Sequence, residues 1–386
     1  MSAPAPRFLL LFEGLRSVHL HKDVGQVPYQ LYRNFGFDAA IATFRNESCY
    51  AYIDDDLSGL KLIFIRFSLY WFLLRNARGI DALMLFHISS RTIYRAVLYK
   101  MLNPNGCLYV KADLASDRIV YPTWGSKNPL TVLKRKLLYG WFLEKADIVS
   151  FETLRSYEGA GEIPDDKKML VPNGFDPDFP TDLGIRNKDF SEKENLILLV
   201  GRHGDPAKNS EFMLEVLSRL GDPRGWRICF IGSLTEDFQR KKEQFLRNNP
   251  QFSGYVTFTG NIEDKRELFE YYNRSKILCL TSRSESWGMV CVEALCFGNT
   301  LVMTRVNSSD DLTGNGMAGM VIEQGNHAAF AEALRTLMND DQILAQYHRN
   351  ACRHFNERFI WKNILQPLAA QITRRTSDET IGPRIC

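Results

Sequence analysis

Nowhere in its 386 residues does the sequence hold a CxxC cysteine pair, an unbroken apolar run of membrane-spanning length, or a low-complexity tract. Each absence removes a class of protein. The eight cysteines are scattered and several sit in apolar strand-like runs, so they read as buried free thiols of a reducing compartment rather than zinc ligands. The apolar run Phe8 to Phe12 is too short for the core of an export signal. The most apolar later stretch, LKLIFIRFSLYWFLLRNARG at 60–79, is interrupted by Arg66 and falls short of the roughly 20 residues that a span requires. A large charge excess is missing too: the net value of +3 does not indicate a nucleic-acid partner held by an overall basic field.

What is present is an ordinary globular composition, 45% hydrophobic and 24% charged, in a chain long enough for two domains with real cores. Short apolar runs alternate with helical patterns: RFLLLF, DAAIATF, DALMLFHI and CLYVKAD in the first half, NLILLVG, WRICFIG, KILCLTS and NTLVMTR in the second. That alternation predicts parallel sheets buried on both faces, an α/β class twice over. The expected division is residues 1–175, a Gly-, Pro- and charge-rich linker at 176–194, a second domain at 195–357, and a terminal helix at about 358–386 that packs back on the first domain. The helical tail is expected to break near Asn339 and again near Pro367.

Two strand-to-helix joins carry the candidate chemistry. In ILLVGRHGDPAKNSEFMLEVL, Arg202 and Lys208 lie on the loop after a buried strand, where open α/β sheets bind ligands. Two cations at that position suit the oxygens of a diphosphate, the alternative being solvated loop charges. In TSRSESWGMVCVEALCFG, a helix starts at Gly288, and the amides of Gly288, Met289 and Val290 form a seat for an anion. Glu285 precedes this seat and Glu293 follows it, placed to accept from sugar hydroxyls at opposite ends of a nucleotide sugar. Alone, each glutamate reads equally well as an ordinary loop or helix carboxylate.

The combination VGRHGDPAKN with SESWGMVCVEAL resembles the retaining GT-B glycosyltransferases of glycosyltransferase family 4, with their G-R-x5-K loop and E-x7-E motif. The resemblance covers roughly 195–340 and implies a GT-B fold, two Rossmann-like domains facing a cleft. It implies a UDP- or GDP-sugar donor, with Arg202 and Lys208 on the diphosphate, Glu293 on the ribose and Glu285 beside the transferred sugar. The backbone at Asn261 and Ile262 would meet the base. In the first domain, HKDVGQV is similar to the family's glycine loop, with Gly25 as the contact, although many members have two adjacent glycines. Asp113 stands where many members have a histidine, and either accepts a hydroxyl hydrogen bond or caps its strand. The implied reaction moves a sugar, with retention, to a hydroxyl of a glycan or lipid-linked acceptor in surface polysaccharide or glycolipid assembly. Neither a cofactor nor a metal is called for.

Other features carry bland readings. His19 and His21 lack a third ligand, His87 reads as a cleft or core histidine, and the acids at 54–56, in a polar turn, and at 310–311 resemble metal-binding clusters that the two loop cations make unnecessary for phosphate charge. The basic stretch KNPLTVLKRKLLYGWFLEKAD at 127–147 is an amphipathic helix on the sheet whose outer face can also meet an anionic membrane, on the inner side of a cytoplasmic protein's compartment. Alternative functions are a silent nucleotide-sugar-binding subunit, or an epimerase or phosphorylase of the same fold.

Overall fold

The computed structural model describes residues 4–50, 53, 57–112 and 128–377. The chain divides into two compact units, Met1–Asn173 with Trp361–Cys386, and Gly174–Ile360.

In the first unit the strands are β1 (Arg7–Leu11), β2 (Asp38–Thr43), β3 (Lys61–Phe64), β4 (Ala82–Phe86), β5 (Cys107–Ala112), β6 (Ile148–Phe151) and β7 (Lys168–Leu170). They form one parallel sheet in the order β3-β2-β1-β4-β5-β6-β7. Side chains alternate between its faces: Phe8, Leu10 and Met84 enter one core, Leu9, Leu11 and Leu83 the other. Both faces being covered explains why these strands read as continuous apolar runs.

In the second unit, β8 (Leu196–Val200), β9 (Arg227–Ile231), β10 (Val256–Gly260), β11 (Ile277–Leu280), β12 (Thr300–Thr304) and β13 (Gly319–Ile322) form a second parallel sheet, ordered β10-β9-β8-β11-β12-β13. Strand order reverses between β8 and β11. Loops leaving the carboxyl ends of two such neighbours diverge to opposite faces and open a crevice between them.

The Gly- and Pro-rich stretch read as a linker is folded onto the second unit. Ile185 is buried in its core, and Asn187 Nδ2 donates to the Cys296 carbonyl at 3.1 Å. The helical tail breaks at Asp340, but Pro367 lies inside the helix Trp361–Ser377 rather than ending one. A proline inside a helix costs about 3 kcal/mol. Here Trp361, Leu365, Leu368 and Ile372 are buried against the first unit's sheet, each contributing about 1.5–3 kcal/mol, which offsets it. Of the cysteines, Cys107, Cys229, Cys279, Cys291 and Cys296 are buried, whereas Cys49 is exposed.

Candidate functional site

The two motif loops leave β8 and β11, the two strands flanking the reversal of the second sheet, and they are laced together. The Arg283 amide donates to the Ala207 carbonyl at 2.8 Å, and Thr281 Oγ1 donates to the Lys208 carbonyl at 3.1 Å. Lys208 Nζ pairs with Glu285 Oε1, which also accepts from Ser282 Oγ at 2.8 Å. Thr304 Oγ1 and Gln324 Nε2 in turn hold the Ser282 carbonyl, at 2.7 and 2.9 Å. The loop cation and the loop carboxylate, 77 positions apart in the chain, therefore form one unit.

The β8 loop is anchored by a residue that the motif reading passed over. His203, directly after Arg202, is buried, with Nδ1 2.9 Å from Ser210 Oγ and Nε2 3.2 Å from the Ile231 carbonyl. Burial pushes its imidazole down to about 4, so it is neutral at physiological pH. Arg202 itself points outward, 72% exposed, and pairs with Asp205 at 2.6 Å. A guanidinium on a surface pair of this kind exchanges partners readily.

Gly288 caps the helix Met289–Cys296 with φ of 95°, a left-handed conformation that L side chains adopt at a cost, which accounts for glycine here. The first amides of a helix have no intrahelical acceptor, so those of Gly288, Met289 and Val290 are suited to an anion. Glu293, half-buried inside this helix, accepts from the Tyr272 hydroxyl at 2.9 Å. Burial raises its carboxyl above the usual range, opposed by Lys265 and the Tyr272 hydrogen bond. Asn261 and Ile262 follow β10, two strands from β8, with Asn261 exposed and Ile262 packed on the core.

Gly25 is not on a loop. It is buried in the first turn of the helix Asp23–Phe35, where an added Cβ would stand 2.1 Å from the Leu20 carbonyl oxygen. The small residue there serves close backbone packing, which HKDVGQV does not distinguish from a ligand-facing turn. Two residues upstream, Asp23 belongs to a buried cluster: Lys111 Nζ lies 3.7 Å from its Oδ2 and 3.3 Å from Glu152 Oε1, and donates to the Val171 carbonyl at 3.0 Å. Burial pushes Asp23 up to about 6, with Lys111 opposing. Asp113 and the acids at 54–56 lie outside the described residues. His19 accepts from the Arg16 amide at 3.1 Å as part of a helix cap, and among the described residues no three His, Cys, Asp or Glu are grouped to hold a metal ion.

Comparison with known proteins bears on this arrangement. Residues 183–354, which contain both motif loops, match the family described as "Glycosyl transferases group 1". The phosphatidyl-myo-inositol mannosyltransferase of Mycolicibacterium smegmatis is 24% identical over 205 residues, 53% of this chain and 50% of that protein. The Campylobacter jejuni GalNAc-alpha-(1->4)-GalNAc-alpha-(1->3)-diNAcBac-PP-undecaprenol alpha-1,4-N-acetyl-D-galactosaminyltransferase is 28% identical over 208 residues, 53% and 54% of the two chains. The chain thus spans about half the length of these curated relatives. Anabaena Alr3699/HepE, solved in complex with UDP, superposes with a TM-score of 0.71 at 16% identity over 96% of this chain and 100% of that one, and a second crystal of it holds UDP-glucose. The fold class is accordingly GT-B, built from two Rossmann-like α/β domains.

Proposed function

We propose that the protein is a retaining glycosyltransferase that moves a sugar from a UDP- or GDP-sugar to a hydroxyl of a glycan or lipid-linked acceptor. The observation that carries the reading is the Lys208–Glu285 pair, which sets a loop cation and a loop carboxylate side by side at the reversal of the second sheet. The UDP of the Anabaena structure and the undecaprenol-linked acceptor in the Campylobacter relative's name support the two substrate classes.

In this reading the diphosphate rests on the amides of Gly288, Met289 and Val290, with Arg202 and Lys208 on its oxygens. The ammonium of Lys208 has three donors, so it can hold Glu285 and a phosphate together. Breaking the bond from the anomeric carbon to the phosphate oxygen leaves negative charge on the diphosphate, which these donors stabilise. Positive character at the sugar ring is steadied by Glu285, which Ser282 and Lys208 hold and aim. The incoming hydroxyl forms its bond to the anomeric carbon and passes its proton to the departing phosphate oxygen. Glu293 accepts from the ribose hydroxyls.

A thermal-shift series with UDP, GDP and their sugars tests the donor class, since a ligand that binds the folded form raises the melting temperature by mass action. NMR of the first-formed product gives the anomeric configuration. Retention agrees with the reading, and turnover of the donor removes the alternative of a silent binding subunit.

A further inference from the structure

The helices Leu69–Asn76, Ser90–Leu102 and Pro129–Lys145 form one layer over one face of the first unit's sheet, each touching the next. Their inner sides are buried in a single core through Leu69, Leu73, Ile93, Ala96, Tyr139 and Phe142. The opposite side of such a layer is normally polar. Here it is apolar a second time. Tyr70, Trp71 and Leu74 are exposed on the first helix, where spacings of three and four positions put them on one face, and Phe67, in the bend just before that helix, is 86% exposed. Leu130, Leu133 and Leu137 repeat the pattern on the third helix, Leu130 being 77% exposed, and Tyr94 and Met101 are exposed on the middle one.

The charge beside these stripes is mainly basic. The three helices hold eight Arg and Lys; Arg91 and Arg95 pair with Glu13 and Lys100 with Asp147, and the one acid on the helices, Glu144, is paired with Lys145 at 2.8 Å. Exposed Arg75, Arg78, Lys134 and Lys136 stand one residue or one turn from the apolar side chains, and the Arg75 guanidinium lies 4.7 Å from the centroid of the Trp71 ring.

We propose that this three-helix face is a docking surface for an anionic lipid bilayer. Trp and Tyr rings with a polar edge settle at headgroup depth, Leu, Phe and Met enter the acyl boundary, and flanking cations meet lipid phosphates. Among the described residues no helix is long and apolar enough to cross a membrane, so the contact is adsorption. A second copy fits the face poorly, because a two-fold interface would set the same cations against each other. The basic helix alone suggested such contact from sequence; exposed Tyr70, Trp71 and Leu74 on another helix of the same layer make it a surface. The inference rests on the first unit only and is independent of the donor site.

The test is co-sedimentation of the full chain with vesicles of phosphatidylglycerol mixed with phosphatidylcholine, against phosphatidylcholine alone. Binding to the anionic vesicles about tenfold tighter or more, weakened by salt, is expected. The exposed triple variant Trp71→Ser, Leu74→Ser, Leu133→Ser loses that binding by at least about tenfold while its melting temperature holds, and Lys134→Glu with Lys136→Glu does the same. Equal or absent binding to both vesicles overturns the proposal, as does binding that these substitutions leave intact. Concentration-dependent dimerisation abolished by the triple variant overturns it in favour of a second copy. Nucleotide-induced thermal shifts in the same samples report the other unit, so a failed vesicle result and a failed donor reading are distinguishable.

Discussion

Lys208 and Glu285 form an ion pair across the reversal point of the second sheet, joining the loop after β8 to the loop after β11. If the pair is the centre of a sugar-transfer site, the two partners fail differently. Lys208→Ala removes a donor to the leaving diphosphate and is expected to lower kcat by about 100-fold or more. Glu285→Gln keeps a hydrogen bond from Ser282 but loses the charge, so kcat falls with donor KM nearly unchanged. Steady-state kinetics on the donor found in the thermal-shift series separates these patterns.

Glu293 and Tyr272 give a pH signature. A carboxyl raised by burial ionises late, and its ionised form is the stronger acceptor for the ribose hydroxyls, so nucleotide affinity is expected to rise from acidic to neutral pH. Glu293→Gln removes the rise and weakens UDP or GDP binding about tenfold. Tyr272→Phe deletes a hydrogen bond that lowers the carboxyl's pKa, which moves the rise to higher pH. Affinity measured across pH for the three proteins checks the order.

The two units are expected to respond to acid in opposite ways. His203, pushed down to about 4 from 6.5, resists a proton that the unfolded chain accepts, so its contribution to the second unit is present above 6.5 and lost as pH falls toward 4. The shift corresponds to roughly 3 kcal/mol. Asp23, pushed up to about 6 from 3.8, keeps a proton that the unfolded chain releases, so its contribution to the first unit is present at low pH and lost as pH rises through 6. Calorimetry from pH 4 to 7 should show each slope flattened in the matching variant, His203→Asn or Asp23→Asn. An unchanged slope in either would contradict the assignment.

Gly25 and Gly288 separate packing from ligand contact. Gly25→Ala drives a Cβ into the Leu20 carbonyl and is expected to destabilise the first unit by about 1–3 kcal/mol without changing nucleotide affinity in the protein that remains folded. Gly288→Ala strains a left-handed cap by about 1–2 kcal/mol and disturbs the amides of the helix start, so stability and affinity fall together. Melting curves and nucleotide titrations on the same preparations show which pattern each follows.

What could be read from sequence was what is local. Strand runs buried on both faces, the glycine at the start of the Met289–Cys296 helix and the two cations after β8 are features of adjacent residues, and they stand where the spacing put them. Partnerships across the chain were not readable, because the order β9-β8-β11 is a property of the assembled sheet: nothing near Lys208 points to Glu285, nor anything near Glu293 to Tyr272. His203 was in view beside Arg202, but its role depends on the Ile231 carbonyl from the neighbouring strand. Two readings went astray where burial overrode local signals: Gly25 packs inside a helix, and Pro367 sits within one held by its apolar side chains. The outward face of Tyr70, Trp71 and Leu74 was hidden because helical periodicity marks a stripe without saying which side of the layer it faces.

Isothermal titration of UDP and GDP into the wild-type chain, Arg202→Ala, Lys208→Ala and Glu293→Ala tests the two-loop donor site most directly. The account predicts that at least one nucleotide binds the wild type and that each substitution weakens it by about tenfold or more. Binding of neither nucleotide, or binding that all three substitutions leave unchanged, would contradict it.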